Sequence, residues 1–349
     1  MPDIADVIAG RAENLHPPYI WFGGKRKVAD AVWAALGDVD NYVEPFFGGG
    51  AVLLARPHAP RIETINDMDG FVVNFWRAVH ADPDAVADAM NWPVNEVDLE
   101  ARHRWLCRMP DKAEFLEAMK NDPNLFDVQR AAWWCWGLNA WIGSGWCGGK
   151  YWPGEPGQSS GRGVCDGANK RPHLGNAGHG VHRKRPDLGG GQGECERRGE
   201  NLRQWMQALA DRLRNVRVCC GDWARVCTNG ATAHGAIVGV FLDPPYSAEA
   251  NRDGSIYRTE DLTVAHRVRE WCIERTANQR YRIVLCGYDG EHDALEEMGW
   301  RVQAWKTQGG FANNAKGNQQ GKANAHRERI WYSPSCVGLA STERPLFGE

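Results

Sequence analysis

The chain has 349 residues, which is enough for one large α/β domain with an insertion or for two domains. Its formal net charge is −3, which excludes a uniformly basic coat protein. Any nucleic-acid site must therefore be a local basic patch.

The cysteines and the apolar pattern indicate a reduced, soluble protein. Eleven cysteines include no C-x-x-C pair, which favours reduced thiols over a disulfide framework or a zinc site. No run approaches the roughly 18 apolar residues of a membrane helix. Met1–His16 carries acids where a signal peptide would be apolar, so we expect a cytoplasmic location.

The first candidate ligand loop follows this leader. Trp21 and Phe22 precede Gly23-Gly24-Lys25, and Val28–Leu36 then has a helical pattern. A Gly-Gly pair before a helix lets backbone N–H groups approach a ligand closely, with Lys25 at that approach. The same pair also suits a plain turn, and these residues alone leave both interpretations open.

A strand, a glycine turn and a helix come next. Asn41–Phe46 has the pattern of a strand, Phe47-Gly48-Gly49-Gly50 that of a tight turn, and Ala51–Arg56 that of a helix. This order is typical of a nucleotide-binding βα unit, although the spacing is not G-x-G-x-x-G. Glu44 would repel a pyrophosphate and suits a cofactor with an ammonium or sulfonium group.

A second strand, Arg61–Ile65, ends in Asn66-Asp67-Met68-Asp69. Asp67 follows Gly48 by 19 residues, close to the spacing at which a carboxylate holds a ribose hydroxyl. The alternative is an N-cap for the predicted helix Gly70–Val79, which Asp67 or Asp69 could provide equally.

The middle of the chain is predicted to be helical. From Asp82 to about Leu125 the pattern is polar, with Trp92 and Trp105 predicted as core anchors. Asp127–Ile142 reads as an apolar helix capped by Asp127. Its tryptophans are predicted to be core residues rather than base-stacking platforms: Trp133, Trp134, Trp136 and Trp141.

Gly143–Gly199 is rich in glycine and poor in aliphatic residues, so it cannot build its own core. Lysine and arginine outnumber the acids there. The segment is either a solvated flexible loop or an arm that becomes ordered on DNA phosphates. The predicted DNA-contacting residues, including two from a later polar loop, are Lys150, Arg162, Lys170, Arg171, Arg183, Lys184, Arg185, Lys316 and Lys322.

Two further strands end in an acid and an aromatic residue. After the predicted helix Asn201–Val216, the strand Val216–Cys220 runs into Gly221-Asp222-Trp223. This pair could bind and stack on an adenine ring, and a core tryptophan with an N-cap aspartate is the simpler alternative. Ile237–Leu242 is a buried strand that runs into Asp243-Pro244-Pro245-Tyr246.

The two prolines cannot donate to a sheet ladder, so the strand must stop at Asp243. A carboxylate, an exposed carbonyl and an aromatic ring then lie at the carboxyl end of a strand, where open α/β sheets bind ligands. An isolated Asp-Pro would suit an ordinary turn equally well.

The remaining pattern completes a doubly wound, mostly parallel α/β fold, because strands alternate with helices. The last two strands flank a polar loop, which predicts an antiparallel hairpin at the sheet edge. The predicted elements are the helix Leu262–Thr276, the strand Tyr281–Cys286, the helix Gly290–Met298 and the strands Trp300–Lys306 and Glu328–Tyr332.

Four separated motifs carry a family resemblance. They are Trp21-Phe22-Gly23-Gly24-Lys25, Glu44-Pro45-Phe46-Phe47-Gly48-Gly49-Gly50, Asn66-Asp67 and Asp243-Pro244-Pro245-Tyr246. In this order they resemble the motifs of the D12-class DNA adenine-N6 methyltransferases, the Dam-like enzymes. The resemblance implies a Rossmann-like, class I methyltransferase fold with an inserted target-recognition region. It covers the chain from about Pro17 to Tyr332.

The same resemblance implies S-adenosylmethionine as the cofactor and no metal. Asp67 would hold the ribose hydroxyls of the cofactor. Glu44 and Phe46 would contact its methionine end, and Asp222 and Trp223 would contact its adenine. The implied cofactor-binding residues are Trp21, Gly23, Gly24, Lys25, Glu44, Pro45, Phe46, Gly48, Gly50, Asp67, Asp222, Trp223 and Asp243.

The implied reaction is methylation of N6 of a flipped-out adenine in double-stranded DNA, with Asp243, Pro244, Pro245 and Tyr246 as catalytic residues. Asp243 and the Pro244 carbonyl would each accept one N6–H, and Tyr246 would stack on the base. The alternatives are cytosine-N4 transfer, which uses the same amino-group geometry, and a catalytically idle DNA-binding protein. A cognate restriction endonuclease is a partner that such enzymes can have.

We expect residues 1–90 and 201–335 to form the catalytic domain, 91–200 the helical and glycine-rich recognition insertion, and 336–349 a tail. Leu138-Asn139 resembles the start of the family's recognition region, but Gly143-Ser144-Gly145-Trp146 and the basic segment replace the usual hairpin that follows. The resemblance therefore implies no particular target sequence.

Overall fold

The computed structural model describes residues 15–19, 21, 25–107, 112–122, 124–141, 146–147, 195–232, 235–246, 263–305 and 327–338. Gly23, Gly24 and all the predicted DNA-contacting residues lie outside these ranges. The α-helices of the described part are α1 Ala29–Leu36, α2 Ala51–Leu54, α3 Gly70–Ala81, α4 Pro83–Met90, α5 Glu96–Cys107, α6 Lys112–Asn121, α7 Val128–Ala140, α8 Cys195–Leu213, α9 Asn229–Thr232 and α10 Val264–Arg275.

The chain packs into two compact units. The helical unit comprises residues 1–21 and 69–214, and the sheet unit comprises 22–68 and 215–349. The three-part domain division drawn from the sequence stays a prediction. Among the described residues, no helix is both long enough and apolar enough to cross a membrane.

The sheet unit is built on seven strands within the described residues. The strands are β1 Asn41–Glu44, β2 Ile62–Asp67, β3 Arg217–Cys220, β4 Val238–Leu242, β5 Tyr281–Tyr288, β6 Arg301–Ala304 and β7 Glu328–Tyr332. Their spatial order is β3-β2-β1-β4-β5-β7-β6. The first five are parallel, and β7 pairs antiparallel with both β5 and β6.

This mixed, mostly parallel sheet confirms the predicted doubly wound α/β class, and each predicted strand is present with ends shifted by a few residues. β1 and β4 are buried along their whole length, as expected for central parallel strands, although only β4 has a continuous apolar pattern. The predicted hairpin is present, but β7 lies inside the sheet and β6 at its edge. The predicted helix Gly290–Met298 is a short 3₁₀ helix, Asp293–Met298.

The helical unit has an aromatic core. Trp76 and Trp136 are almost fully buried, and Trp134 stacks with Phe71 at 6.2 Å between ring centroids. The prediction that Trp92 and Trp105 are core anchors was wrong, because their side chains are 46% and 39% exposed. Both rings lie at the surface beside arginine side chains, which cover one face of each ring. Of the α7 tryptophans, Trp134 and Trp136 are buried as predicted, whereas Trp133 and Trp141 are only half-buried.

Candidate active site at the carboxyl ends of the parallel strands

The candidate site lies where the order of the parallel strands reverses. From β1 the chain passes to β2 on one side, and from β4 to β5 on the other. Because β1 and β4 are parallel neighbours, their carboxyl ends meet at the same edge of the sheet. Such a switch point is where open α/β sheets bind ligands. Glu44 ends β1, and Asp243 follows β4 directly.

The turn after β1 is shaped by glycine and held by β2. Gly48 and Gly50 have φ angles of 50° and 74°, in the left-handed region that favours glycine. The Gly48 amide donates to Asp67 Oδ2 at 2.8 Å, and the Phe47 amide donates to the Asn66 carbonyl at 3.0 Å. A Cβ on Gly50 would lie 2.4 Å from Phe47 Cζ. The turn therefore tolerates only glycine at its last position.

These contacts show which of the two acids at the end of β2, Asp67 or Asp69, is the helix N-cap. Asp69 is the N-cap of α3, because its side chain accepts from the Phe71 amide at 2.8 Å. Asp67 instead ends β2 and holds the glycine turn. The N-cap alternative for Asp67 was therefore wrong, and its contact with a ribose stays a prediction.

Asn66 joins three strand ends. Its Nδ2 donates to the Pro45 carbonyl and to the Gly221 carbonyl, each at 3.0 Å. These carbonyls follow β1 and β3, so one buried amide connects the segments on both sides of β2. Asn66 Oδ1 is buried and has no hydrogen-bond partner within the described ranges. The site thus contains a buried acceptor that a ligand donor could satisfy.

Glu44 is a buried carboxylic acid. It is 2% exposed, and the Tyr42 hydroxyl donates to its Oε2 at 2.8 Å. Burial raises the pKa of Glu44 to about 8, and the nearby charges of Asp243 and Glu63 act in the same direction against the hydrogen bonds that lower it. Glu63 forms an ion pair with Arg56, with 3.0 Å between Glu63 Oε1 and Arg56 Nη1. Glu44 forms no ion pair with any described lysine or arginine. Glu44 therefore lies where a positively charged ligand group would be favoured.

The Asp-Pro-Pro-Tyr segment is anchored by a buried ion pair. Lys25 Nζ lies 2.8 Å from Asp243 Oδ1, with side chains 4% and 20% exposed. The Tyr246 hydroxyl lies 3.2 Å from Lys25 Nζ and 3.3 Å from Asp243 Oδ1, and it donates to Glu328 Oε2 at 2.7 Å. Four polar side chains from distant parts of the sequence therefore form one network.

The network determines the protonation of its members. Burial lowers the pKa of Lys25, but the negative charges around it, Asp243 first, raise it by more, so that the net shift is upward and Lys25 remains an ammonium. Burial and the neighbouring carboxylates raise the pKa of Tyr246 well above its ordinary value. Burial also raises the pKa of Glu328, an effect that Lys25 opposes.

Aromatic rings surround this network. Lys25 Nζ lies 5.7 Å from the ring centroid of Tyr246 and 5.6 Å from that of Trp305. Tyr246, which is 8% exposed, packs edge-on against Tyr288 at 4.5 Å between centroids. The ammonium is thus shielded from water on two sides, which strengthens its pairing with Asp243.

Asp222 and Trp223 have the structural roles that the simpler alternative predicted. Asp222 Oδ1 accepts from the Ala224 amide at 2.8 Å and caps the 3₁₀ helix Trp223–Val226, and its Oδ2 lies 3.2 Å from Arg267. Trp223 is 5% exposed and its ring centroid lies 6.1 Å from that of Phe46. Adenine binding by this pair stays a prediction.

The other predicted residues are placed as follows. Trp21 belongs to the helical unit, where its ring contacts Tyr19 at 5.9 Å and Trp134 at 6.1 Å between centroids. Pro244 is buried and Pro245 is half-buried, after the last residue of β4. Sequence reasoning missed Glu328, although an acid at the start of a strand that continues into Ile330-Trp331-Tyr332 was a signal that could have indicated it.

A mostly parallel α/β sheet, a glycine turn after β1, an acid ending β2 and Asp-Pro-Pro-Tyr after β4 are together consistent with a Rossmann-like methyltransferase fold.

Residues 21–107 match the family model of the D12 class N6 adenine-specific DNA methyltransferases. This match spans 87 of the 349 residues and confirms the resemblance over residues 21–107; the Asp243-Pro244-Pro245-Tyr246 motif lies outside the matched range. The matched family is that of adenine-N6 DNA methyltransferases, the enzyme type that was predicted. No curated protein matches the chain.

Proposed function

We propose that this protein transfers the methyl group of S-adenosylmethionine to N6 of an adenine in double-stranded DNA. The observation that carries the proposal is the buried Lys25–Asp243 pair, which fixes the Asp-Pro-Pro-Tyr segment beside the glycine turn at the switch point. The family match to residues 21–107 supplies DNA methylation as the general activity.

The charges of the site fit this cofactor. S-adenosylmethionine carries an ammonium and a sulfonium, and the sulfonium supplies an electrophilic methyl group. Glu44 is a buried carboxylic acid with no described cationic partner, and we assign it to the positively charged methionine end. Asp67 ends the neighbouring strand and is assigned to the ribose hydroxyls. Trp223 is assigned to the adenine, and Phe46, whose ring lies 6.1 Å from that of Trp223, to the methionine end.

Asp243 is assigned to the amino group of the target base. Both of its described contacts, to Lys25 and to Tyr246, are made by Oδ1, so we assign Oδ2 and the Pro244 carbonyl as the acceptors of the two N6–H groups. Two acceptors in these positions favour a pyramidal N6 whose lone pair can attack the methyl carbon. Bound S-adenosylmethionine would supply its methyl group to this lone pair and leave as the neutral thioether, and N6 would lose one proton to solvent. Positioning supplies much of the rate in such a transfer.

An adenine N6 inside a duplex is out of reach of these groups, so the reaction requires the base to be flipped out. Flipping costs a few kcal/mol of stacking and pairing, and base–aromatic contacts return roughly 1–3 kcal/mol per base. We assign Tyr246 to this contact. The Tyr246 hydroxyl donates a hydrogen bond to Glu328, and this hydrogen bond fixes the orientation of the ring.

The test combines labelled cofactor with product analysis. Purified protein, unmethylated duplex DNA and methyl-labelled S-adenosylmethionine should yield N6-methyladenine in the digested DNA. Asp243→Asn should lower kcat by roughly 10²–10³ because one acceptor of the amino group is lost. Asp211→Asn is the matched control, since Asp211 is exposed and, among the described residues, is paired with Arg214.

Each alternative gives a different result in the same assay. N4-methylcytosine in the digest would replace the adenine assignment by cytosine-N4 transfer. Cofactor binding without label transfer would indicate an idle DNA-binding protein. Failure of the wild-type protein to bind S-adenosylmethionine would reject the proposal.

A further inference from the structure

Three soft metal ligands meet inside the helical unit. His103 and Cys107 are four residues apart on α5, so their side chains share one face of that helix. Cys147 comes from the short described segment Trp146–Cys147. The ligand atoms of the three residues all lie within 4.8 Å of one another, and each residue is 2% exposed.

The distances between the ligand atoms are close to those around one small tetrahedral ion. With Zn–S near 2.3 Å and Zn–N near 2.0–2.1 Å, the sulfur and nitrogen ligands of a tetrahedral zinc ion lie about 3.6 Å apart, and two sulfurs lie about 3.8 Å apart. Cys107 Sγ lies 3.6 Å from His103 Nε2 and 3.9 Å from Nδ1, so it faces both ring nitrogens. To enclose an ion, the imidazole must turn about its Cβ–Cγ bond until one nitrogen points at the metal.

The third ligand is held in place by its neighbour. Trp146 Nε1 donates to the Trp134 carbonyl at 3.0 Å, and its ring lies so close to Gly137 that a Cβ there would be 1.8 Å from it. Trp146 thus packs tightly against α7, and this contact fixes the position of the adjoining Cys147. Cys147 has a φ of 56°, a left-handed conformation that is uncommon for residues other than glycine.

The histidine ring is oriented by a separate contact. It stacks on Trp141 at 4.7 Å between centroids with an interplanar angle of 19°. Packing on this indole holds the imidazole ring next to Cys107. The three residues are thus brought together by packing, and this does not depend on an ion.

We propose that His103, Cys107 and Cys147 supply three of the four ligands of a zinc ion, or of another divalent cation of similar softness, with a water molecule in the fourth position. Thiolate and imidazole ligands are those that zinc prefers in proteins. Two thiolates and a neutral imidazole balance the charge of a dication, so no other ion is needed in this buried place. On binding, each thiol releases its proton to solvent, and both sulfurs form bonds to the metal. The site is independent of the methyl-transfer function proposed above.

The sequence alone did not predict this site. Cys107 and Cys147 are far apart in the chain, and no C-x-x-C pair accompanies them. Only the packing of Trp146 against α7 brings the second cysteine to the face of α5 that carries His103 and Cys107.

The test measures metal in the full-length protein. After purification without chelators and without added metal, elemental analysis should find about one zinc per chain. Titration of the demetallated protein against a chromophoric chelator should give a Kd below about 1 µM. Cobalt substitution should produce absorption bands of thiolate-to-cobalt charge transfer. Zinc should also raise the melting temperature of the demetallated protein.

Variants distinguish a site from adventitious binding. Cys147→Ser and His103→Gln should each weaken zinc binding by at least about 100-fold and abolish the zinc-dependent rise in melting temperature. Cys135→Ser is the matched control, because Cys135 is a buried cysteine of the same unit whose thiol donates to the Pro18 carbonyl instead. Circular dichroism of each variant without metal establishes that it folds.

Three results would overturn the proposal. The first is a wild-type Kd for zinc weaker than about 1 µM, with metal absent from the purified protein. The second is an equal loss of zinc binding in Cys135→Ser. The third is a reductant-sensitive disulfide between Cys107 and Cys147, found by mass spectrometry of the purified protein, which would assign the cluster to thiol oxidation instead.

Discussion

Glu44 shows how a single residue can link cofactor binding to pH. Its carboxyl group is buried and its pKa is raised to about 8, so at pH 7 it is mostly protonated in the protein without cofactor. A bound cation would favour the ionised form. Binding of S-adenosylmethionine should therefore release a proton near neutral pH.

The affinity for S-adenosylmethionine should rise as the pH increases from 6 to 8, because ionisation of Glu44 then costs less. Isothermal titration in buffers of different ionisation enthalpy measures both the affinity and the released proton. In Glu44→Gln the pH dependence should disappear and binding should weaken by roughly 10–100-fold. If the affinity of this variant still rose with pH by the same amount, Glu44 would not be a cofactor-binding residue.

The same residue should limit the stability of the protein without cofactor. The folded-state pKa of about 8 lies above the unfolded value of 4.5, so raising the pH through this window ionises the unfolded chain first and lowers the free energy of unfolding. Glu44→Gln should therefore increase stability at pH 8, by roughly 1–3 kcal/mol.

Glu63→Gln is the control for this measurement, because Glu63 is equally buried but paired with Arg56. Its replacement should lower stability, since it leaves a buried guanidinium with a neutral partner. Urea unfolding at pH 5 and pH 8 compares the two variants. A stability loss of equal size in both would contradict the unpaired state of Glu44.

The Lys25–Asp243 pair should be strongly coupled. Breaking a buried ion pair by removing one partner costs about 3–5 kcal/mol, and the 20% exposure of Asp243 reduces this to roughly 2–4 kcal/mol. Lys25→Met and Asp243→Asn should each destabilise the protein, and the double variant should lose less than their sum. Urea unfolding of the four proteins measures the coupling.

The exposed pair Lys120–Glu117 provides the comparison for that cycle. Its side chains are 47% and 64% exposed, so its coupling energy should be about 0–1 kcal/mol. A coupling no larger than this for Lys25 and Asp243 would mean that the pair does not anchor the Asp-Pro-Pro-Tyr segment.

At the scale of the elements, the glycine turn after β1 combines backbone conformation with close packing. Gly50 has φ 74°, and a Cβ there would meet the ring of Phe47. Gly290 has φ 86°, but a Cβ there would have no neighbour within 4 Å. Substitution of Gly290 therefore measures the free energy of the backbone conformation alone, and substitution of Gly50 adds the free energy of the steric clash.

Gly290→Ala should cost about 1 kcal/mol, the conformational penalty alone. Gly50→Ala should cost more, roughly 2–4 kcal/mol, and it should also weaken the binding of S-adenosylmethionine because the turn must shift. Thermal unfolding and cofactor titration of the two variants test this. Equal effects at both positions would show that the contact with Phe47 does not constrain the turn.

Individual elements were predictable where local chemistry decides them. The strand β4 stops at Asp243 because the following prolines cannot donate to the ladder, and the turn at Gly48–Gly50 needs left-handed backbone. The partners of these elements were not predictable. Lys25 and Glu328 reach Tyr246 from opposite ends of the described chain, and only the strand order brings them together.

The exposed tryptophans show a second limit of sequence analysis. Trp92 and Trp105 were assigned to the core by residue type alone, since their segment lacks a clear apolar periodicity. Arginine side chains cover them instead, and such pairing leaves no signature in the local pattern.

At the scale of the whole molecule, the alternation of strands and helices was sufficient to predict the fold class. The order β3-β2-β1-β4-β5-β7-β6 was not, because it depends on contacts between residues far apart in the sequence. This order puts β1 beside β4, and so it brings Glu44 and Asp243 to the same edge of the sheet.

Because the overall charge is −3, the proposed DNA binding must depend on local basic residues. The triple change Arg183→Glu, Lys184→Glu and Arg185→Glu should weaken DNA binding and reduce the slope of log K against log salt by about 2–3, while cofactor affinity stays unchanged. Fluorescence anisotropy at several salt concentrations measures the slope.

A control with the same change in charge reverses three exposed basic residues of the helical unit, Arg104, Lys120 and Arg214. Its smaller effect on the slope would assign the phosphate contacts to the segment around Arg183. A slope reduced equally by both triple changes would show a response to net charge alone.

The position of β7 in the sheet has a consequence for folding. β5 has eight residues, seven of them buried, and without β7 it would present an open apolar edge that can pair with other chains. β7 is the last described strand to be synthesised, and its first residue, Glu328, receives the hydrogen bond of Tyr246. The step that protects the chain from aggregation is therefore also the step that completes the network around Asp243.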